Sequence, residues 1–177
     1  MIKKILFTSI LITSYQIFSQ SPRRLTKKDS IKIETLVTLE INKLKQSLEG
    51  NDRELYNEFK IDTFRIKERQ RLQLEIDYST LGMVSATYEA TKEYDKLLNK
   101  YYKRLKKNLN KEDQEILKQS QRNWIKFRDS ELKLNSALVN AYFSGGGTIQ
   151  QVIAASRVEE LTEKRVIELF HYLNRKF

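Results

Sequence analysis

The chain has 177 residues, 40% of them apolar, which is enough to fill the core of one domain. Its 33 Lys and Arg residues exceed its 23 Asp and Glu residues, so the formal charge is +10. With no Cys, one Pro and five Gly, the composition excludes disulfides, thiolate catalysis and Cys-based metal sites, and it favours helices over a turn-rich sheet protein.

The N-terminal residues have the composition of an export signal. Lys3 and Lys4 precede an apolar run over residues 5–18, which is followed by a small residue. A positive start, an apolar run and a small residue at its end are typical of a secretory signal peptide. The run is too short for a membrane anchor. We therefore predict a signal peptide at 1–19 and an exported protein, periplasmic or secreted, whose mature chain has 31 basic and 23 acidic residues, a charge of +8.

The next residues form two predicted segments. Residues 20–28 are basic and polar without an apolar period, so they predict a flexible lead-in. Residues 29–79 predict an N-terminal helical segment, which begins with a helix of about 18 residues. Asp29 or Ser30 is expected to cap this helix, and Gly50 is expected to end it.

A second helix is predicted after Asp52, which can cap it, and it is expected to run to about Gln70. Residues 72–78 then alternate between apolar and polar side chains, the pattern of a half-buried strand. A single strand has no partner elsewhere in the sequence. We therefore predict an extended connection after Arg71.

The helical period returns at residue 80 and defines the last predicted segment, 80–177. Thr80 is expected to cap a long helix that ends near Asn110. The predicted seam of this helix consists of Val84, Tyr88, Leu98, Tyr102, Leu105 and Leu109, with Tyr94, Leu97 and Tyr101 on its shoulder.

Two further helices complete the prediction. Asn110 and Asp113 are expected to start one that runs to about Tyr142, and Thr148 is expected to cap the other after a glycine-rich loop. The predicted inner stripe of the first consists of Ile116, Ser120, Trp124, Phe127, Glu131, Leu134 and Leu138. Short connections make neighbouring helices antiparallel. The predicted fold is therefore an all-α antiparallel bundle of four to five helices.

The sequence carries no pattern of an enzyme or a cofactor site. The glycines at 145–147 lack the preceding strand and the following Lys of a phosphate-binding loop, which favours a flexible turn. His171 is the only histidine, so neither a His-based metal set nor a catalytic triad is readable. We predict a non-enzymatic protein without metal or cofactor.

Two alternatives stay open. Glu131 and Glu159 could form the carboxylate pair of a hydrolase acting on wall glycan, although pairing with arginines is the simpler interpretation. The basic run at 103–107 could hold the protein on an anionic polymer or membrane, although basic residues also suit a helix C-terminus. An exported protein has no nucleic acid as its normal partner, so none is predicted.

Three ordered motifs follow one another along the second half of the chain. The first is Tyr-Asp-Lys-Leu-Leu-Asn-Lys-Tyr-Tyr at 94–102, and the second has Gln, Arg, Trp and an Arg-Asp pair within 121–131. The third is a glycine-rich turn followed by Thr-x-x-Arg at 162–165. Together they resemble the lysozyme inhibitor LprI-type domain, which has a Leu-Asn-x-x-Tyr helix and the other two motifs in the same order. Unlike this chain, members of the family commonly carry cysteines on these helices.

The resemblance implies a helical domain that binds a protein or a cell-wall component, with a lysozyme as the implied partner. Against this, common animal lysozymes are basic, so a charge of +8 would repel them at long range. The structural motif implied by the resemblance consists of Gln121, Trp124, Arg128, Asp129, Thr162 and Arg165. Within it, Trp124 is expected in the core with Phe127, and the last four residues are expected to form a polar clasp between the last two helices. The candidate binding loop consists of Tyr142, Phe143, Ser144, Gly145, Gly146, Gly147 and Thr148.

Overall fold

The computed structural model describes residues 21–140 and 145–175. In these ranges the chain forms five helices and no strand, namely α1 (Lys27–Ser47), α2 (Glu54–Ile76), α3 (Thr80–Lys107), α4 (Lys111–Leu138) and α5 (Ile149–Leu173). The predicted all-α bundle is confirmed. The predicted signal peptide and three residues of the predicted loop, Tyr142, Phe143 and Ser144, lie outside the described residues. Among the described helices, none is both long and apolar enough to cross a membrane.

The centre of the bundle is a parallel pair, α3 and α5, which makes the most extensive helix–helix contact. The Thr80 hydroxyl lies 3.2 Å from the Thr148 hydroxyl near one end of this pair. Farther along, the ring centroids of Tyr101 and Phe170 are 6.0 Å apart. Helices α2 and α4 flank the pair and run antiparallel to it, and α1 packs against α2. Helices adjacent in sequence are therefore antiparallel, as predicted.

The core follows α3, but not along the seam that the sequence predicts. Tyr94 and Tyr101, expected on the shoulder, are fully buried, whereas Tyr88, expected at the centre, is 61% exposed. Near the start of α3 the buried residues are small, with Ala86 and Ala90 facing the core, which allows close approach of a neighbouring backbone. Because α3 packs against both α2 and α5, its buried face is wider than a single row of apolar residues. This face is also rotated around the helix axis relative to the predicted seam.

The predicted extended connection after Arg71 is wrong, because α2 continues as a helix to Ile76. Leu72 is buried in a cluster with Ile33 and Val37 of α1, and Ile76 packs against the same cluster. Leu72 and Ile76 are four residues apart, so a helix places them on one face. Helix α2 packs against α1 on one side and α3 on another, so it needs apolar residues on two faces. Apolar residues on two faces of a helix can alternate with polar ones along the sequence, which is the pattern expected of a strand.

Side-chain caps start three of the helices. Thr26, rather than Asp29 or Ser30, caps α1 through a capping box in which the Asp29 carboxylate accepts from the Thr26 N–H at 2.8 Å. Ser79, rather than Thr80, caps α3. Asn110 caps α4 as predicted, because its Oδ1 accepts from the backbone N–H of Asp113 at 2.9 Å.

Helix α4 is rotated relative to its predicted inner stripe. Its two buried residues are Leu117 and Gln121. Large apolar residues of the predicted stripe are instead exposed, including Ile116, Phe127, Leu134 and Leu138. The predicted stripe is amphipathic, but it is not the face that packs on the bundle. The buried residues Leu117 and Gln121 each follow a residue of the predicted stripe, so the buried face is rotated by roughly 100° around the helix axis. Helix α4 therefore presents an apolar stripe to the outside.

Candidate functional site

The structural motif expected from the sequence centres on Trp124, which is partly buried against the core. The guanidinium carbons of Arg128 and Arg165 lie 5.3 and 5.9 Å from the centroid of its ring, close enough for cation–π attraction. Arg165 is only 5% exposed. Its Nε donates to the side-chain oxygen of Gln121 at 3.0 Å, and Nη2 donates to the Ser120 hydroxyl at 3.2 Å. Nη1 also pairs with the Glu168 carboxylate at 2.9 Å, and together these bonds satisfy a charge that would otherwise be costly to bury.

The other expected members of the motif lie outside this group. Asp129 is exposed and accepts from the neighbouring Arg128 at 2.9 Å. Thr162 is buried, but its hydroxyl donates to the backbone oxygen of Val158 within α5. Within this motif, the polar contact between α4 and α5 is therefore made by Gln121 and Arg165, and Asn135 and the Glu131–Arg157 pair add contacts elsewhere along the two helices. Phe127, expected in the core, is 50% exposed, so that prediction is wrong.

A groove of about 340 Å³ runs between α3 and α4 beside Trp124. It brings together the first two motifs of the sequence, since Asp95 and Asn99 of α3 line it opposite Gln121 and Arg128 of α4. Arg128 Nη1 is 4.0 Å from the Asp95 carboxylate. Burial raises the pKa of the Asp95 carboxyl, and the Arg128 charge offsets this only in part.

The end of the α4–α5 hairpin is a second candidate surface. We call residues 134–140 and 145–156 the hairpin tip. Between Lys133 and Arg157 the sequence contains no charged residue and no His, although charged residues make up 32% of the chain. Four large apolar side chains of the tip are 47–54% exposed, namely Leu134, Leu138, Ile149 and Ile153. The hairpin tip is therefore uncharged and partly apolar.

The described part of the predicted binding loop belongs to the hairpin tip. Gly145, Gly146 and Gly147 have φ angles of 74°, 82° and 92°. This left-handed region is open to Gly at little cost and strained for other residues. Thr148 precedes α5, but its side chain makes no capping hydrogen bond, contrary to the prediction. The three glycines supply these backbone angles shortly before α5 begins.

The two carboxylates of the hydrolase alternative do not face each other. The Glu131 carboxylate lies 3.6 Å from Arg157 across the α4–α5 contact. The Glu159 carboxylate accepts from the side-chain nitrogen of Gln70 on α2 at 2.9 Å. Because α2 and α4 flank α5 separately, the two carboxylates belong to different helix–helix contacts. Among the described residues, no group of His, Cys, Asp and Glu is arranged to hold a metal ion.

The basic run at 103–107 is partly engaged within the bundle. Arg104 pairs with Glu58 of α2, and Leu105 is buried in the core. Lys103 and Lys107 are exposed at the C-terminal end of α3. His171 is exposed in the last turn of α5.

Two features of these surfaces are not among the predictions from the sequence. Asp95 belongs to the first motif, but nothing in the period of a single helix indicates which neighbouring helix faces it. The hairpin tip had a readable signal in the charge-free run between Lys133 and Arg157. A running average of charge along the sequence reveals this uncharged run.

Comparison with known proteins gives one family. A family model described as "Lysozyme inhibitor LprI" matches residues 75–169. The match covers more than half of the chain and includes the groove, the Trp124 group and the hairpin tip. No curated protein and no solved structure matches the chain at a significant level.

Proposed function

The chain belongs to the lysozyme inhibitor LprI family, and from that premise we propose that it is an exported, non-enzymatic protein that binds a lysozyme through its hairpin tip. The single observation that carries this proposal is the exposure of Leu134, Leu138, Ile149 and Ile153 at an end of the molecule without charge. Exposed apolar residues that cluster on a soluble domain mark interaction surfaces. Binding loops on a rigid helical scaffold commonly carry function as well.

The position of the charges supports docking by this end. The predicted mature charge of +8 arises from residues outside 134–156. A basic lysozyme that docked on the body of the bundle would bring like charges into contact, which costs several kcal/mol. Docking on the hairpin tip avoids such contacts, while long-range repulsion still slows the encounter. Association should therefore become faster as salt is added, until the repulsion is screened.

The experiment is a lysozyme activity assay with the mature chain in excess over several lysozymes of different charge. We expect inhibition of at least one of them. A Leu134→Ser and Leu138→Ser double variant should weaken inhibition at least about tenfold, because it removes two apolar contacts from the interface. An Ile31→Ser and Leu39→Ser double variant is the matched control, since these residues of α1 are exposed to a similar degree but lie far along the chain from the tip.

Two results would contradict the proposal. Absence of inhibition for every lysozyme would reject the lysozyme as partner. Equal inhibition by the tip variant and the parent would reject the hairpin tip as the docking surface. Circular dichroism of each variant should match that of the parent, because both substitutions replace exposed side chains.

A charge-driven adaptor to an anionic cell-wall polymer or membrane is the second candidate. The exposed Lys103 and Lys107 favour it, because they add to the positive field at one end of α3. Sedimentation with vesicles of anionic lipid, or with isolated wall polymer, tests this candidate. Binding should fall steeply with salt and with a Lys103→Gln and Lys107→Gln double variant. Salt-insensitive binding, or none, would reject it.

A further inference from the structure

The groove between α3 and α4 has the dimensions of a small-ligand site. Its volume of about 340 Å³ lies near the lower end of the range of roughly 300–1,000 Å³ typical of such sites. A volume of this size holds one or two small rings. It lies apart from the hairpin tip, so a ligand here would not depend on the proposed lysozyme contact.

The walls of the groove differ in polarity. Leu98, Trp124 and Ile125 give it an apolar side. Asp95, Asn99 and Arg128 place a carboxylate, an amide and a guanidinium along the same groove. Ligand sites commonly combine an apolar lining with a few placed polar groups, which fix the orientation of the ligand. The groove therefore suits a ligand that is apolar on one face and polar along its rim.

The Asp95 carboxylate lacks a hydrogen-bond partner among the described residues. Its nearest cation, Arg128 Nη1, is 4.0 Å away, which is too far for a hydrogen bond. Arg128 uses Nε and Nη2 for Asp129 instead. A hydroxyl placed between the two groups can donate to the carboxylate and accept from Nη1, as a bridging water does. Asn99 donates its Nδ2 to the Asp95 backbone oxygen at 2.9 Å, which leaves its Oδ1 to accept from a ligand.

The charges of the groove favour a neutral ligand. Arg122, Arg128 and Lys118 lie on the α4 side, and Asp95 lies on the α3 side. Lys118 and Arg128 are already paired with Glu115 and Asp129, which offsets much of the positive charge on the α4 side. An anion would meet the Asp95 carboxylate and a cation would meet the basic side, so each would face a like charge. A ring with several hydroxyls satisfies both sides without a net charge.

We propose that the groove between α3 and α4 binds a neutral saccharide, with one sugar ring against Leu98 and Trp124 and its hydroxyls bridging Asp95 and Arg128. A pyranose ring has the two characters that the groove requires, namely an apolar face of C–H groups and a rim of hydroxyls. The assignment concerns a different surface from the hairpin tip, and either can hold without the other.

Trp124 is the only tryptophan of the chain, so its fluorescence reports on the groove directly. The probes are N-acetylglucosamine, its trimer and glucose, each titrated into the full mature chain, with sodium acetate and choline chloride as charged comparisons. We expect a saturable change with at least one saccharide and none with the two salts. The Asp95→Ala variant should weaken the saccharide affinity at least about tenfold, the usual effect of losing one hydrogen bond to a charged group.

Two further variants make the result decisive. Glu93→Ala is the matched control, because Glu93 is an α3 carboxylate paired with Lys96 rather than a groove residue, and it should bind like the parent. Asn99→Ala is a second groove variant and should also weaken binding. The proposal is overturned if no saccharide gives a saturable change, if acetate or choline binds as well as the saccharides, or if Asp95→Ala and Asn99→Ala both bind like the parent.

Discussion

Helices α3 and α4 have the same length, 28 residues, yet they contribute to the molecule in opposite ways. Nine residues of α3 are buried, including Tyr94 and Tyr101, whereas α4 buries only Leu117 and Gln121. Both helices are amphipathic, so amphipathic character alone does not determine what a helix does in this bundle. The difference comes from position, because α3 has α2 and α5 as neighbours while α4 packs mainly along α5. The outer helix is consequently the one with surface left for binding.

The largest expected effect is a difference in the free energy of unfolding between a substitution in α3 and one in α4. Leu105 of α3 is 3% exposed and Leu134 of α4 is 53% exposed. Leu105→Ala should lower the free energy of unfolding by about 2–5 kcal/mol, through lost burial and the cavity that remains. Leu134→Ala should change it by less than about 0.5 kcal/mol. Urea denaturation of both variants measures the contrast, and equal losses would show that Leu134 is covered in solution.

A smaller effect is expected at Gln121, where α4 contacts a buried side chain of α5. Gln121→Leu keeps the size of the side chain but removes the acceptor for the buried Arg165 Nε. The variant should lose about 1–3 kcal/mol of stability, the cost of an unpaired buried donor. Asp129→Ala is the control, and because Asp129 is exposed it should stay within about 0.5 kcal/mol of the parent. A larger loss of stability for Asp129→Ala than for Gln121→Leu would contradict the role given to Gln121.

The smallest expected effect concerns Glu159, on the opposite side of α5 from α4. Burial raises the pKa of its carboxyl, and the nearby Glu163 adds to the rise. The ionised carboxylate therefore disfavours the folded state at neutral pH, and this cost disappears once the pH falls below the carboxyl's ordinary value of 4.5. Glu159→Gln, which can still accept from Gln70, should slightly raise the melting temperature at pH 7 and leave it unchanged near pH 4.

Glu160→Gln should change the melting temperature at pH 7 in the opposite direction and lower it. Hydrogen bonds from Lys164 and Arg157 lower the pKa of the exposed Glu160 carboxyl. Its ionised form thus favours the folded state, and this contribution is lost as the pH falls through the lowered pKa. Thermal scans at several pH values compare the two variants. A destabilised Glu159→Gln at pH 7 would show that the pairing with Gln70 outweighs the cost of burial.

The sequence predicted the helices better than it predicted their faces. The Asn110 cap of α4 was readable because capping depends on residues three positions apart. The end of α2 was not, because packing on two faces gave residues 72–78 the alternation of a strand. Such a pattern is decided by tertiary neighbours, which the local sequence does not contain.

The candidate site was predictable only where its signal was local. Gln121, Trp124 and Arg165 belong to the motif that the resemblance implies, and the structure brings these three side chains together. Asp129 adjoins Arg128 in the sequence, and its exposed carboxylate pairs with that neighbour rather than across the α4–α5 contact. The rotation of α4 was missed because Gln121 and Arg128 are polar residues on the inward face, and hydrophobic period does not detect buried polar groups. The groove needs two helices from different motifs, so no spacing along one helix reveals it.

The parallel pairing of α3 with α5 has a kinetic consequence. The two residues that meet at its start, Thr80 and Thr148, are 68 positions apart in the chain, so the central contact closes a long loop that includes all of α4. Contacts of such high sequence separation slow folding relative to bundles built from adjacent hairpins. The last helix also supplies four of the eleven residues of the larger buried cluster, so the bundle cannot assemble until this helix has been synthesised. Truncation within α5 should leave α1 to α4 as a collapsed ensemble.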